Sequence, residues 1–178
     1  MKKIITFIVL LYLSSFSLQA EVLDSSVNTS TYTSIDQKDC VTLDSDNMGS
    51  LQECESFTSI GVKVIEGDIR QSIILTRNQQ EYDLDFFTTV SPAFSSLGLK
   101  AEWRHELGKP TNLKGMIVRL EVSDDPENLD KTSSYLVVSK ITRHEICVIA
   151  KVAPQINQNI MAREILDINL AMPCLKSY

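Results

Sequence analysis

Apolar and polar residues alternate with a period of two through the middle of the chain. Ile60, Val62 and Val64 interleave with Gly61 and Lys63. After Glu66-Gly67-Asp68, the residues Ile69, Gln71, Ile73 and Leu75 interleave with Arg70, Ser72 and Ile74. Such a period sends successive side chains to opposite faces of a strand, so the two runs and their turn predict a β-hairpin. Residues 84–89 (LDFFTT) predict a third strand, and Leu99, Ala101 and Trp103 alternating with Lys100, Glu102 and Arg104 a fourth. Met116, Val118, Leu120 and Val122 mark a fifth, and the β-branched runs 135–141 and 146–152 around Thr142-Arg143-His144-Glu145 a second hairpin. Ser91-Pro92 ahead of AFSSLG predicts a short helical turn, capped by Ser91 and closed by Gly98.

Pro154 changes the period, and the residues after it predict a helix. Met161, Ile165, Ile168 and Met172 fall on one stripe, while Ile156, Ile160, Leu166 and Leu170 lie on other faces. A helix apolar around so much of its circumference is expected to pack into the domain. The reading is an α+β domain, a mainly antiparallel sheet of about six or seven strands with a C-terminal helix packed on it.

The ends of the chain read differently. Lys2 and Lys3, the apolar run IITFIVLLYL and the small, polar exit SSFSLQA have the order of a secretory signal. The apolar run falls short of the about 20 residues that span a bilayer. Residues 1–20 are therefore expected to be a removed signal peptide, 21–33 a Ser/Thr-rich flexible lead-in, and 34–178 a single domain. No integral membrane segment is expected after cleavage, and the destination is the periplasm or the exterior. Losing Lys2 and Lys3 takes the formal charge from −6 to −8, which argues against nucleic acid and favours cationic partners.

Export changes the meaning of the four cysteines. Cys40, Cys54, Cys147 and Cys174 form an even set in an oxidising compartment and predict two disulfides, Cys40–Cys54 and Cys147–Cys174, each close in sequence. Close CxxC pairs are absent and no histidine neighbours Cys40 or Cys54, which argues against structural zinc.

Candidate chemistry is sparse. Residues 44–55 match a calcium-loop pattern, with Asp44, Asp46 and Glu55 at ligand positions and Gly49 at the turn. Met48 at an oxygen-donor position and the strand pattern after Glu55 favour a plain acidic loop pinned by its own disulfide. Asp68 and Arg70 at the first hairpin, and Glu102, Arg104 and His105 beside Trp103, combine carboxylate, guanidinium and imidazole, which suits acid/base chemistry or anion binding. Alternation alone also explains them as the wet face of a sheet. Only His105 and His144 supply imidazoles, and neither a G-x-S-x-G elbow nor a Gly-rich phosphate loop is present. No cofactor or metal is called for, and Trp103 reads as core.

One further pattern runs along the chain: a cysteine, an acidic loop, a second cysteine before a Gly-containing strand, then Gly67-Asp68-Ile69-Arg70-Gln71-Ser72, Ala101-Glu102-Trp103-Arg104, a strand with Cys147, and Ala162-Arg163 through Asp167 to Cys174. It resembles uncharacterised small secreted or periplasmic proteins of Gram-negative bacteria. The resemblance implies export and the cysteine layout, and no activity. The expected function is a non-catalytic exported binding or interaction protein, its partner an envelope protein or a glycan. The alternatives are an envelope hydrolase using Glu102, His105 and Asp68, and a calcium-stabilised domain.

Overall fold

The strands predicted by alternation pair with their sequence neighbours. The computed structural model describes residues 27–168 and 170–177, so the signal peptide expected at 1–20 lies outside the described residues. β4 (Ile60–Gly67) and β5 (Arg70–Arg77) form the first hairpin with Gly67 opposite Arg70, leaving Asp68 and Ile69 as a two-residue turn. β7 (Ser95–Glu106), β8 (Lys109–Ser123), β9 (Thr132–Ile141) and β10 (Ile146–Val152) follow as an antiparallel ladder.

Four strands lie where hydropathy predicted none: β1 (Asn28–Ser34), β2 (Val41–Ser45), β3 (Gly49–Phe57) and β6 (Gln80–Asp83). The sheet thus has ten strands in the order β10-β9-β8-β7-β5-β4-β3-β2, with β1 on β7 and β6 on β5. It is mixed rather than purely antiparallel, because β5 meets β7 in a parallel bridge between Arg70 and Ser95. The part of the expected lead-in from Asn28 onward is β1. Its Ser/Thr composition hides it from a hydrophobicity reading, since it is held by hydrogen bonds: Thr33 Oγ1 accepts from Trp103 Nε1 at 2.8 Å. The acidic segment 40–55 is likewise the β2–β3 hairpin.

LDFFTT is not a strand. Asp85 turns left-handed (φ 40°) and its carboxylate accepts from Thr88 N, starting the one-turn helix α1 (Phe86–Thr89). The chain is extended again by Ser95, so no helical turn forms at 92–98.

That bridge divides the sheet into two halves that face each other. One core cluster is built from both, with Val62, Val64, Ile73 and Leu75 of β4 and β5 against Trp103, Met116, Val118 and Leu120 of β7 and β8. Arg77, at the end of β5, reaches across to donate to the carbonyls of Thr142 and Arg143 in the β9–β10 turn. The helix α2 (Gln158–Ile168) covers the outer face, over Ile117, Leu136, Val138 and Ile149. Its buried stripe is Gln158, Ala162 and Leu166, whereas Ile168 of the predicted stripe is 76% exposed. Gly115 makes this approach possible, because a Cβ there would meet Leu166 Cδ2 at 2.6 Å and Ser139 O at 2.2 Å.

Both disulfides have the expected pairing, Cys40–Cys54 and Cys147–Cys174. The second ties the segment after α2 to β10. Among the described residues, no helix is long and apolar enough to cross a membrane.

Candidate functional site

The residues singled out beside Trp103 separate onto two faces of β7. Ala101 and Trp103 point into the core, so Glu102 and Arg104 point outward beneath α2. Glu102 accepts from Ser30 Oγ (2.6 Å), Arg163 Nε (2.5 Å) and Arg163 Nη2 (3.1 Å). Burial pushes its carboxyl up, but the hydrogen bonds of Arg163 and Ser30 and the charge of Arg163 outweigh it and hold the group below the ordinary carboxylate range. Arg104 makes a bidentate pair with Asp167, at 2.8 and 2.6 Å. These two pairs dock α2 on the sheet.

His105 faces inward. Its ring packs 5.6 Å from that of Phe57, Nδ1 lies 3.0 Å from Glu106 O, and Nε2 lies 2.9 Å from Thr31 Oγ1. A carbonyl only accepts, so in the neutral ring Nδ1 carries the hydrogen and Nε2 accepts from Thr31. Both nitrogens are therefore engaged. Neither Glu102 nor His105 lines any of the five principal cavities. The carboxylate–histidine–Asp68 arrangement needed for a hydrolase is not brought together.

Asp68 and Arg70 do sit at a cavity. They belong to the β4–β5 hairpin, on one side of which a depression of about 400 Å³ opens toward α1, lined by Glu66, Asp68, Arg70, Asp83, Asp85 and Phe87 among others. The Arg70 guanidinium is fixed rather than free. Its carbon lies 5.0 Å over the Phe87 ring and 4.8 Å over Phe94, Nε donates to Pro92 O at 2.9 Å, and Nη1 pairs with Asp68. Four acidic residues thus border a depression with one cation, itself paired with Asp68.

On the other side of the hairpin a second depression, of about 580 Å³, is lined by Gln37, Asp46, Gln52, Glu66, Asp68 and Ile69 among others. Glu66 borders both. Its Oε2 accepts from Gln37 Nε2 (3.1 Å) and Gln71 Nε2 (2.8 Å), and among the described residues no hydrogen bond engages Oε1. Gln52 is 7% exposed, and its buried Oε1 has no hydrogen-bond partner. Glu66 and Asp68, which border both depressions, make this hairpin a surface that attracts cations and donors.

The calcium-loop residues are spread along the β2–β3 hairpin. Asp46 Oδ1 is spent on the turn, accepting from Met48 N (2.7 Å) and Gly49 N (3.0 Å). Among the described residues, the group of three side chains close enough to share an ion is Glu145, Cys147 and Cys174, and those cysteines are bonded to each other. Glu66, Gln71, Asp83, Asp85 and Phe87 were not visible as site residues in the sequence. Their only signal was the acidity of Glu66-Gly67-Asp68 and of the segment before Phe86. The chain matches no protein-family model, no curated protein and no solved structure.

Proposed function

We propose that this protein is a non-catalytic exported binding protein that captures a cationic group, an amine or guanidinium of an envelope partner, at the acidic β4–β5 hairpin. The observation that carries the reading is the surface around Glu66. Glu66, Asp68, Asp83 and Asp85 line one depression with a single cation, Arg70, that is already paired with Asp68. An ammonium there donates charge-assisted hydrogen bonds to carboxylates. The two disulfides and the signal-like amino terminus support export. The engagement of Glu102 and His105 in structural bonds favours binding over catalysis.

The test is titration calorimetry of the exported protein with spermidine and with a tri-lysine peptide. Binding that weakens with added salt, and at least about tenfold in Glu66→Gln, is expected, the equivalent of one lost charge-assisted hydrogen bond. No heat with either cation, or equal affinity in the variant, overturns the proposal.

A further inference from the structure

The opposite end of the curled sheet has the reverse charge. A depression of about 370 Å³ lies among the β3–β4 turn, the start of β8 and the β9–β10 turn. Arg77, Lys114 and Arg143 line it together with Thr58, Ser59 and Thr111, and no acidic residue lines it. In a chain with 23 acidic and 17 basic residues, three cations without an acid depart from the overall balance.

Their states differ in a way that suits a ligand. Arg77 is half-buried and held in place: it donates to Thr142 O (2.5 Å) and Arg143 O (3.3 Å), and its guanidinium lies 5.5 Å over the Tyr82 ring. Lys114 and Arg143 make no ion pair or side-chain hydrogen bond among the described residues. Glu106, which feels the charge of Lys114, is bonded by Lys109 and by Asn112 Nδ2, and Glu145 is paired with Lys140. Half-buried Leu113 and Leu170 add an apolar border.

We infer that this depression is a phosphoryl-binding site, for an organic phosphate whose head is held by Arg77, Lys114 and Arg143 and whose carbon skeleton rests on Leu113 and Leu170. A tetrahedral oxyanion offers several acceptors at once, which matches two cations without an ion pair among the described residues, the positive charge of the fixed Arg77 guanidinium and three hydroxyl-bearing residues in the lining. The volume exceeds that of free phosphate and falls in the range of small-molecule sites, about 300–1,000 Å³. The site lies at the end of β4 and β5 opposite the acidic turn and shares no lining residue with that depression, so it stands or falls independently of the cation-binding reading.

The phosphoryl group can belong to a soluble ester or to a lipid headgroup, and the experiment separates them. Amide chemical shifts of the ¹⁵N-labelled protein are followed during titration with glycerol 3-phosphate, in parallel with flotation on phosphatidylglycerol vesicles. Shifts at Thr58, Ser59 and Thr111 that weaken at least about tenfold in Lys114→Ala, with Arg143→Ala adding to the loss, are expected. Both residues lie outside the buried core, so the variants keep the fold, and the remaining amide spectrum reports it. Vesicle binding that is lost in Lys114→Ala, without response to the soluble ester, assigns the site to a lipid headgroup. The inference is overturned if neither probe binds, or if Lys114→Ala binds as well as the native protein.

Discussion

Ile69 adopts a backbone conformation that its chemistry disfavours. It follows Asp68 in the β4–β5 turn, and both have positive φ, 49° for Asp68 and 58° for Ile69. Aspartate tolerates this region, whereas a β-branched side chain there carries strain of about 1–3 kcal/mol. Ile69 is 57% exposed, so little burial offsets it. Ile69→Gly creates the Asp-Gly pair that such two-residue turns prefer, at the cost of a looser unfolded chain. A net gain of about 1 kcal/mol is expected, read as a rise in Tm of roughly 3 °C. The turn itself was legible in Gly67-Asp68; the isoleucine at positive φ was not, because nothing in its type requests that conformation.

Glu102 makes the opposite case at the same scale, a charge inside the structure that is fully used. Its folded carboxyl titrates below its ordinary value, so its contribution is complete above the unfolded pKa and is lost as pH falls through the lower folded value. Stability should therefore drop on acidification below about pH 4.5, the region of an unperturbed Glu. Glu102→Gln should lower stability at neutral pH by about 2 kcal/mol, the worth of hydrogen bonds to a charged group. The variant should also flatten that acid limb, because the titrating group is gone. Urea denaturation of both proteins at neutral and acidic pH checks the sign; an unchanged acid limb would mean that another carboxylate sets it.

Among the elements, α2 shows how a hydropathy stripe misleads. Of the apolar positions Met161, Ile165, Ile168 and Met172, Ile165 and Met172 pack at the edge of the outer cluster while Met161 and Ile168 are exposed, and the buried stripe is Gln158, Ala162 and Leu166. Its first member is polar. Gln158 is buried because its Nε2 donates to Ser134 O (2.7 Å) and Val152 O (2.9 Å), an arrangement hydropathy scores against. The outward pairs Glu102–Arg163 and Arg104–Asp167 then fix the helix rotation. Leu166→Ala, emptying a fully buried position over Gly115, is expected to cost about 3 kcal/mol. Ile168→Ala, on the exposed side, should stay within about 0.5 kcal/mol. Equal losses in chemical denaturation would contradict the rotation described.

Strand legibility divides on the same physical line. β4, β5 and β7–β10 bury one or both faces, and burial writes alternation into the sequence. β1 does not: Thr33 is its buried side chain, and Ser30, Thr31 and Thr33 serve instead as partners for Glu102, His105 and Trp103. Strands held by such bonds look like loops in a hydropathy profile. Thr33→Val keeps the shape but leaves the fully buried Trp103 Nε1 without an acceptor. A loss of about 1–3 kcal/mol is expected, with a shift in tryptophan fluorescence as the direct check.

At the scale of the whole molecule, the two halves of the sheet enclose one core and leave two ends of opposite charge, the β4–β5 hairpin with its carboxylates and the β9–β10 turn with its cations. The acidic end was legible only in Asp68 and Arg70, and the basic end not at all, because each assembles residues from segments far apart in sequence: Glu66 with Asp83, and Arg77 with Lys114 and Arg143. The cysteines, by contrast, were legible as pairs, since each bridge closes a short loop. The Cys147–Cys174 bridge has a consequence for the basic end. It holds the segment after α2, where Lys140 Nζ also donates to Met172 O (2.7 Å) and Leu175 N to Val148 O (2.8 Å), and that segment carries Leu170 into the cavity. Replacing both cysteines by alanine removes a 27-residue separation constraint from the unfolded chain. The expected loss is about 3 kcal/mol, a fall in Tm of roughly 10 °C. Hydrogen exchange at Leu175 should rise faster than at Val118 in the core, because the tail frays before the sheet opens. Equal acceleration at both sites would show that the bridge stabilises only through the unfolded state, and that the basic end does not depend on it.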